Sequence, residues 1–360
     1  MKTSQIPLVC RLGALGDMVA CTPALKYLSE QSGHPCDVIA AGGWSYDLFA
    51  HLPFVGNVYV LKSRNKPYWF NSGKRKLVKS LKQRGVGPCW IFGSSDHILP
   101  LLKRSNFEEK HIITPFSPSD SIIHAGDEWL QLAGHYPEKL NRDSRSLWAP
   151  PDHDLVNWEM AVSEEEIDNA RNWMKQHSLT EKNVVIMQIG NKKTMRRGDP
   201  ARASNTKFWP SERWADVARH IAQQHNMPVI LVGTPQERNL IDVVVNLVKN
   251  PLVKAAYQDI GIRRLAGLFH HAHSCISVDT GPAHMAAALN CPVLVLFGAA
   301  DPARDRPRST ESIVRCIVGD SSLEGAGELS WQQAELASPP GMIGISSEAV
   351  VADWEKHFKK

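Results

Sequence analysis

Asp17 closes the stretch Arg11-Leu-Gly-Ala-Leu-Gly-Asp17, directly after the apolar run PLVC. A carboxylate on the loop that follows a strand is placed to accept a proton from a substrate hydroxyl. The same group at a helix start is an ordinary partner for exposed backbone N–H groups, and on these residues alone that plainer reading is the better one. A dinucleotide fingerprint is not met. It needs three glycines as G-x-G-x-x-G and an acid at the end of the next strand, whereas Gly13 and Gly16 stand without a third and the next strand runs into AAGG.

A second candidate is Asp279-Thr280-Gly281-Pro282-Ala283-His284, at the end of the apolar run CISV. Proline fits a first helical turn, and the bare N–H groups and dipole of a helix start favour phosphate. Thr280 adds a hydroxyl and His284 an imidazole. The small residues behind them allow the helix to sit close to a sheet. An ordinary capped strand–helix junction is the alternative, and the pattern favours phosphate over it. Lys207, before Phe208-Trp209-Pro210 and a helix expected to be capped by Ser211, either meets a phosphate or is solvated.

Two other clusters carry less. His270, His271, His273 and Cys275 crowd together, but adjacent helical positions do not face one ion and no C-x-x-C or H-E-x-x-H pattern accompanies them, so a structural helix end is expected and no metal is assigned. Residues 62–84 hold nine Lys or Arg and no acid, interrupted by Tyr68, Trp69 and Phe70. Aromatics among cations can stack nucleobases, yet no nucleic-acid-binding signature accompanies them. A solvated basic face is the plain reading, and nucleic acid is not expected as a partner.

These residues need elements to hold them. Short apolar runs alternate with amphipathic stretches: PLVCRL, then DMVACTPALKYLSE as one helix, then DVIAA, NVYVL, the basic helix GKRKLVKSLKQR, CWIFG and HIIT. After the proline-containing stretch LWAPPDHDL (147–155), Ser163 and Glu166 open a helix in capping-box spacing. The alternation then resumes through NVVIMQIG, PVILVG, CISVDTG and PVLVLFG. Strands alternating with helices indicate parallel sheets, and 360 residues exceed what one core serves. The expectation is an α/β protein of two Rossmann-like halves facing a central cleft: residues 1–155, residues 156–345, and a final helix over 346–360 packing back on the N-terminal half. Ligands of such sheets sit beyond the C-terminal strand ends.

Composition narrows the class. Hydrophobic residues make up 43% and charged residues 22%, with a formal net charge of +4. The seven cysteines include no C-x-x-C pair, which suits a reducing cytoplasm. No signal peptide and no run near the ~20 apolar residues of a membrane span is apparent, so membrane association is expected to be peripheral.

Three motifs in order, R-x-G-A-L-G-D-x-x-x-x-T-P-A-L, K-x-W-P-x-x-x-W and D-T-G-P-x-H-x-A-A-A…P-V-x-x-L-F-G, resemble glycosyltransferase family 9, the ADP-heptose:lipopolysaccharide heptosyltransferases. The resemblance runs from Arg11 to the final helix. It implies a GT-B fold, with the acceptor on the N-terminal domain and the nucleotide sugar on the C-terminal one. By resemblance Asp17 is the general base, beside Gly16 on the acceptor side. Lys207 neutralises the donor phosphates, and Asp279, Thr280, Gly281 and His284 cradle the pyrophosphate. Glu237, in LVGTPQERN, lies near the ribose. Lys62, Arg64 and Lys66 then face a lipid-linked, acidic or phosphorylated oligosaccharide, or an anionic membrane surface. The implied reaction is inverting transfer of heptose from ADP-heptose to the lipopolysaccharide inner core, without cofactor or required metal. The implied actor is a monomer, peripheral on the cytoplasmic face of the inner membrane. Alternatives are another nucleotide sugar on the same fold and a non-catalytic nucleotide-sugar-binding relative. The chain departs from the family at KKTMRRGDPARASN (192–205), an insertion that leaves roles for Gly190 and Asn191 open.

Overall fold

A computed structural model describes residues 4–115, 123–136, 158–194, 205–319 and 341–359. They fall into two compact units, Met1–Ala161 and Val162–Lys360. The stretch 147–155, read as a linker, lies outside the described residues.

The first unit is built on five parallel strands: β1 (Leu8–Arg11), β2 (Cys36–Ala40), β3 (Val55–Val60), β4 (Cys89–Ile91) and β5 (Ile112–Ile113), in the order β3-β2-β1-β4-β5. The central strands are buried on both faces, which is why they read as unbroken apolar runs. The chain winds outward from β1 to β3 and returns to pair β4 on the other side of β1. The reversal leaves a crevice at the carboxyl ends of β1 and β4, where open sheets of this kind take ligands. Among the described residues six helices accompany the sheet: α1 (Leu15–Ala20), α2 (Thr22–Ser32), α3 (Ser45–Phe49), α4 (Ser72–Arg84), α5 (Leu99–Arg104) and α6 (Ala125–Ala133). The single helix expected over 17–30 is thus two. Pro23 has no N–H to continue the ladder, and the Thr22 hydroxyl donates instead to the Val19 carbonyl at 2.7 Å.

The second unit repeats the plan with six parallel strands: β6 (Val185–Gln188), β7 (Val229–Val232), β8 (Val253–Ala256), β9 (Ser274–Val278), β10 (Val293–Phe297) and β11 (Val314–Val318), ordered β11-β10-β9-β6-β7-β8. Its reversal falls between β6 and β9. The helices among its described residues are α7 (Glu164–Gln176), α8 (Ser211–Gln224), α9 (Arg238–Val248), α10 (Ile262–His271), α11 (Gly281–Ala288), α12 (Pro302–Asp305) and α13 (Ser347–Phe358). Helix α8 starts at Ser211 with Pro210 in the cap position, so Ser211 is not its cap.

The final helix corrects an expectation. Val350, Trp354 and Phe358 of α13 are buried in the core of the second unit, and Trp354 Nε1 donates to Ser274 Oγ at 3.0 Å. The helix belongs to the C-terminal half because that core takes its apolar stripe.

Candidate active site

At the mouth of the first sheet, β1 ends on Arg11 and α1 begins four residues later, with Asp17 in its first turn. The Ala14 N–H donates to Asp17 Oδ2 at 2.6 Å, and Arg11 Nη2 pairs with Asp17 Oδ1 at 2.9 Å. Arg11 is itself fixed. Its Nη1 donates to the Phe92 carbonyl, just past β4, at 3.1 Å, and its guanidinium lies 4.6 Å from the centre of the Trp129 ring on α6. Trp129 in turn stacks on Phe92. Two glycines make room: Gly93, at φ +97°, would drive a Cβ into Arg11 Nη1, and Gly13 would drive one into the Asp17 carboxylate. Gly13 and Gly93 therefore leave room for the Arg11–Asp17 ion pair. The Asp17 side chain remains 36% exposed, so a substrate hydroxyl can reach it. Each carboxylate oxygen spends one lone pair inside the loop and keeps another. Gly16 is a buried residue of α1. The sequence reading missed Arg11 and Trp129. Arg11 was visible as a cation ending the strand six positions before Asp17, whereas Trp129 carried no signal.

At the mouth of the second sheet, Asp279 follows β9 and is 5% exposed. The Lys207 ammonium pairs with its Oδ2, and His284 Nε2 lies 3.7 Å from its Oδ1. Burial alone raises the Asp279 carboxyl, but the His284 hydrogen bond and the Lys207 charge outweigh it and hold the group below its ordinary range. Lys207 is aimed by its neighbours. Phe208 and Trp209 are buried, Trp209 Nε1 donates to the Ile345 carbonyl at 2.9 Å, and its ring stands edge-on to Trp214. Thr280 occupies the cap position of α11 but leaves the helix uncapped by a side chain, since its hydroxyl donates to the Val278 carbonyl at 3.2 Å. The Gly281 N–H and the dipole of α11 are thus not met by a side-chain cap. Asp305 of α12, absent from the sequence reading, belongs to this cluster: burial first, then the Asp279 charge, push its carboxyl up.

Glu237 sits differently from a group waiting for ribose. It is 3% exposed; its Oε2 accepts from the Thr234 N–H and hydroxyl, each at 2.9 Å, and its Oε1 from the Thr194 hydroxyl at 3.2 Å. It ties the loop after β6 to the loop after β7. The Thr194 hydroxyl also accepts from the Asn191 N–H at 2.7 Å, so Asn191, buried, is held in the same knot. Most of the 192–205 insertion lies outside the described residues.

The basic stretch is not uniformly solvated. Lys62 and Lys66 are exposed and Arg64 is partly so. Lys74 is buried, its ammonium donating to the Arg64 carbonyl at 2.7 Å and the Lys66 carbonyl at 2.8 Å. Asn71 caps α4 and donates to the Ser63 carbonyl at 3.1 Å. Arg84 is buried against Asp37 at 2.5 Å. Trp69 and Phe70 stand 73% and 83% exposed beside these cations. The histidine tract disperses: His271 bonds the Ile167 carbonyl and Glu181, His273 bonds Ser274 Oγ, and Cys275 is buried in β9.

Residues 149–322 match the family model for glycosyltransferase family 9 (heptosyltransferase). The chain carries a glycosyltransferase family 9 domain. It is 26% identical over 378 residues to the lipopolysaccharide core heptosyltransferase OpsX of Haemophilus influenzae, covering 97% of this chain and 95% of that one. The fold is similar to that of a family 9 glycosyl transferase from Veillonella parvula (TM-score 0.74, 16% identity, 99% and 98% of the two chains). It is also similar to the ADP-heptose lps heptosyltransferase II of E. coli (TM-score 0.69, 18% identity, 98% of each). The family 9 domain begins close to the unit boundary and contains Lys207, Glu237, Asp279 and His284. The protein is a glycosyltransferase of the α/β, GT-B kind, with one parallel sheet in each half.

Proposed function

We propose that this glycosyltransferase moves a heptose from ADP-heptose to an inner-core sugar of lipopolysaccharide, with inversion at the anomeric carbon. The observation that carries the reading is the pairing of chemistry with topology. A reachable carboxylate stands at the reversal of the first sheet, and a Lys207–Asp279–His284 cluster with the start of α11 stands at the reversal of the second. Asp17, held by Arg11 and the Ala14 N–H, takes the proton of the acceptor hydroxyl. The hydroxyl oxygen forms its bond to the anomeric carbon as the bond from that carbon to the phosphate oxygen breaks, and the electron pair leaves with ADP. Lys207, His284, the Gly281 N–H and the Thr280 hydroxyl, turned from the Val278 carbonyl, stabilise the charge that develops on the diphosphate. These groups supply cationic and hydrogen-bond contacts to the leaving group, so the reading assigns no cofactor and no required metal. Glu237 acts at the nucleoside end by fixing the loops against which the ribose rests.

The acceptor side of the reading rests on Lys62, Arg64 and Lys66 with Trp69 and Phe70. Cations beside exposed aromatics suit a lipid-linked, phosphorylated oligosaccharide at an anionic surface, each well-placed cation contributing about 1 kcal/mol there. No helix among the described residues is long and apolar enough to cross a membrane. In this reading the enzyme is a monomer, peripheral on the cytoplasmic face of the inner membrane, and takes no nucleic acid.

The experiment is a melting screen over ADP-, UDP- and GDP-sugars followed by transfer to a heptose-deficient lipopolysaccharide acceptor. A ligand that binds the folded chain alone raises its melting temperature by mass action. ADP-heptose should give the largest rise and be the productive donor. Stabilisation by a different nucleotide sugar with no transfer from ADP-heptose would overturn the donor assignment.

A further inference from the structure

We propose a divalent transition-metal site at His220, His225 and Glu355, outside the residues assigned to sugar transfer, that clasps the C-terminal helix α13 to the end of α8. The sequence hides it, because Glu355 is 130 positions beyond His225 and no short motif links them. The fold closes that gap. His220 Nε2 and His225 Nε2 both reach Glu355 Oε1, at 2.9 and 2.8 Å, and the three ligand atoms lie within 4.8 Å of one another. Ligand atoms sharing an ion at ~2.1 Å stand ~3.0–3.4 Å apart, so the two histidine–carboxylate separations need open by only a few tenths of an ångström, while the two imidazole nitrogens, within 4.8 Å of each other, close around the ion. His220 and Glu355 have side chains about a third exposed, 33% and 35%, which gives them that freedom and admits water to the remaining coordination positions.

A second feature favours a cation at this place. His225 is the residue that ends α8, whose last turn carries no Lys or Arg. The partial negative charge of the helix C-terminus is therefore met by no fixed cation from its own last turn. The histidines are also restrained: His225 packs edge-on to Trp354, ring centres 5.2 Å apart, and 5.5 Å from His220. Two imidazoles and one carboxylate suit Zn²⁺, Co²⁺ or Ni²⁺, and not Mg²⁺, which prefers an all-oxygen shell. On binding, each ring keeps its one proton by passing it from Nε2 to Nδ1, and the freed Nε2 lone pair goes to the metal, so both histidines bind as neutral imidazoles.

The test is calorimetric titration of the full chain, freed of any affinity tag and pretreated with a chelator, with ZnCl₂ and in parallel with MgCl₂. One Zn²⁺ per chain and no Mg²⁺ binding are expected, together with a rise in melting temperature. Glu355→Gln, which keeps size and packing, and His220→Ala, at a third-exposed position, should each weaken Zn²⁺ by at least ~10-fold, the lower end of what loss of even a supporting group costs. Co²⁺ should give a spectrum without thiolate-to-metal charge transfer. Zn²⁺ binding unchanged in both variants, a thiolate band, equal binding of Mg²⁺, or no stoichiometric site would each overturn the proposal.

Discussion

The Lys207 ammonium rests on Asp279, and the other oxygen of that carboxylate faces His284 Nε2 at 3.7 Å. Lys207 is therefore not a loose cation: a buried acid aims it. The carboxylate itself would repel a diphosphate, so in the proposed reading Asp279 acts by positioning Lys207 and not by touching the phosphates. Lys207 and the His284 imidazole thus flank the Asp279 carboxylate, with Asp305 of α12 close enough to feel the same charges.

Lys207→Ala should do two separable things. It should weaken ADP by about 1.5–3 kcal/mol, the worth of a charge-assisted contact, and it should destabilise the fold by leaving Asp279 buried with less compensation. Adding Asp279→Asn to Lys207→Ala should restore the melting temperature without restoring ADP affinity. Calorimetry and thermal unfolding of the single and double variants form a cycle that separates the effects. A double variant that regains ADP affinity would show that Lys207 merely neutralises Asp279.

Asp17→Asn should lower turnover by ~10²–10⁴-fold, the usual worth of a general base. ADP affinity should stay unchanged. The amide also sets an NH₂ against either Arg11 or the Ala14 N–H, both donors, so a modest loss of stability should accompany it. Arg11→Met leaves the base in place but unsupported on one side. It should lower kcat by about 10–100-fold, because misplacement of a catalytic group by an ångström costs that order. Arg11→Lys should rescue only in part, since an ammonium cannot bridge Asp17 and the Phe92 carbonyl while stacking on Trp129. Equal kcat for all three Arg11 forms would make the ion pair purely structural.

Much of this was legible in the sequence where local chemistry and local structure coincide. Asp17 and Asp279 announce themselves because each follows an apolar strand and opens a helix. The edge strands β8 and β11 do not, because edge positions are half-solvated and interrupted by Lys254 and Arg315, so they lack an unbroken apolar run. Lys74 and Arg84 were counted among solvated cations. Their burial depends on the carbonyls of Arg64 and Lys66 and on Asp37, partners that spacing cannot reveal. Glu237 was legible as an acid after a strand, but its contact with Thr194, 43 positions earlier, is a pairing that spacing cannot reveal.

Glu237 offers a pH test. Burial outweighs its hydrogen bonds from Thr234 and Thr194 and holds its carboxyl above the ordinary range. A raised folded-state value means a contribution to stability that is full below the unfolded value, ~4.3, and is lost as pH rises through the folded value. Glu237→Gln keeps an acceptor for Thr234 and removes the titration. It should match or exceed the parent in urea midpoint at pH 8, and fall behind it progressively towards pH 4. Glu237→Ala should lose about 1–3 kcal/mol at any pH, because the Thr234 N–H is orphaned. A glutamine variant weaker than the parent by more than ~1 kcal/mol at pH 8 would show that the charged form is the stabilising one.

The last prediction separates the two kinds of cation in the basic stretch. Lys62, Arg64 and Lys66 carry charge at or near the surface, whereas Lys74 holds the loop that presents them. Changing the first three to Ser should raise KM for a phosphorylated lipid-core acceptor and leave KM for the sugar nucleotide unchanged. The effect should shrink as salt rises, since exposed charges lose reach beyond a Debye length of ~8 Å at physiological ionic strength. Lys74→Met removes one buried ammonium and frees two carbonyls without touching the surface charges. It should raise acceptor KM as well, but by loosening the loop, so its effect should persist at high salt and come with a lower melting temperature. Trp69→Ser with Phe70→Ser should reduce sedimentation with vesicles containing anionic lipid while sparing transfer to a water-soluble acceptor. Steady-state kinetics at low and high salt, with vesicle binding alongside, reads all three. An acceptor KM that moves in none of the variants would make the stretch a solvated face and place the acceptor elsewhere on the chain.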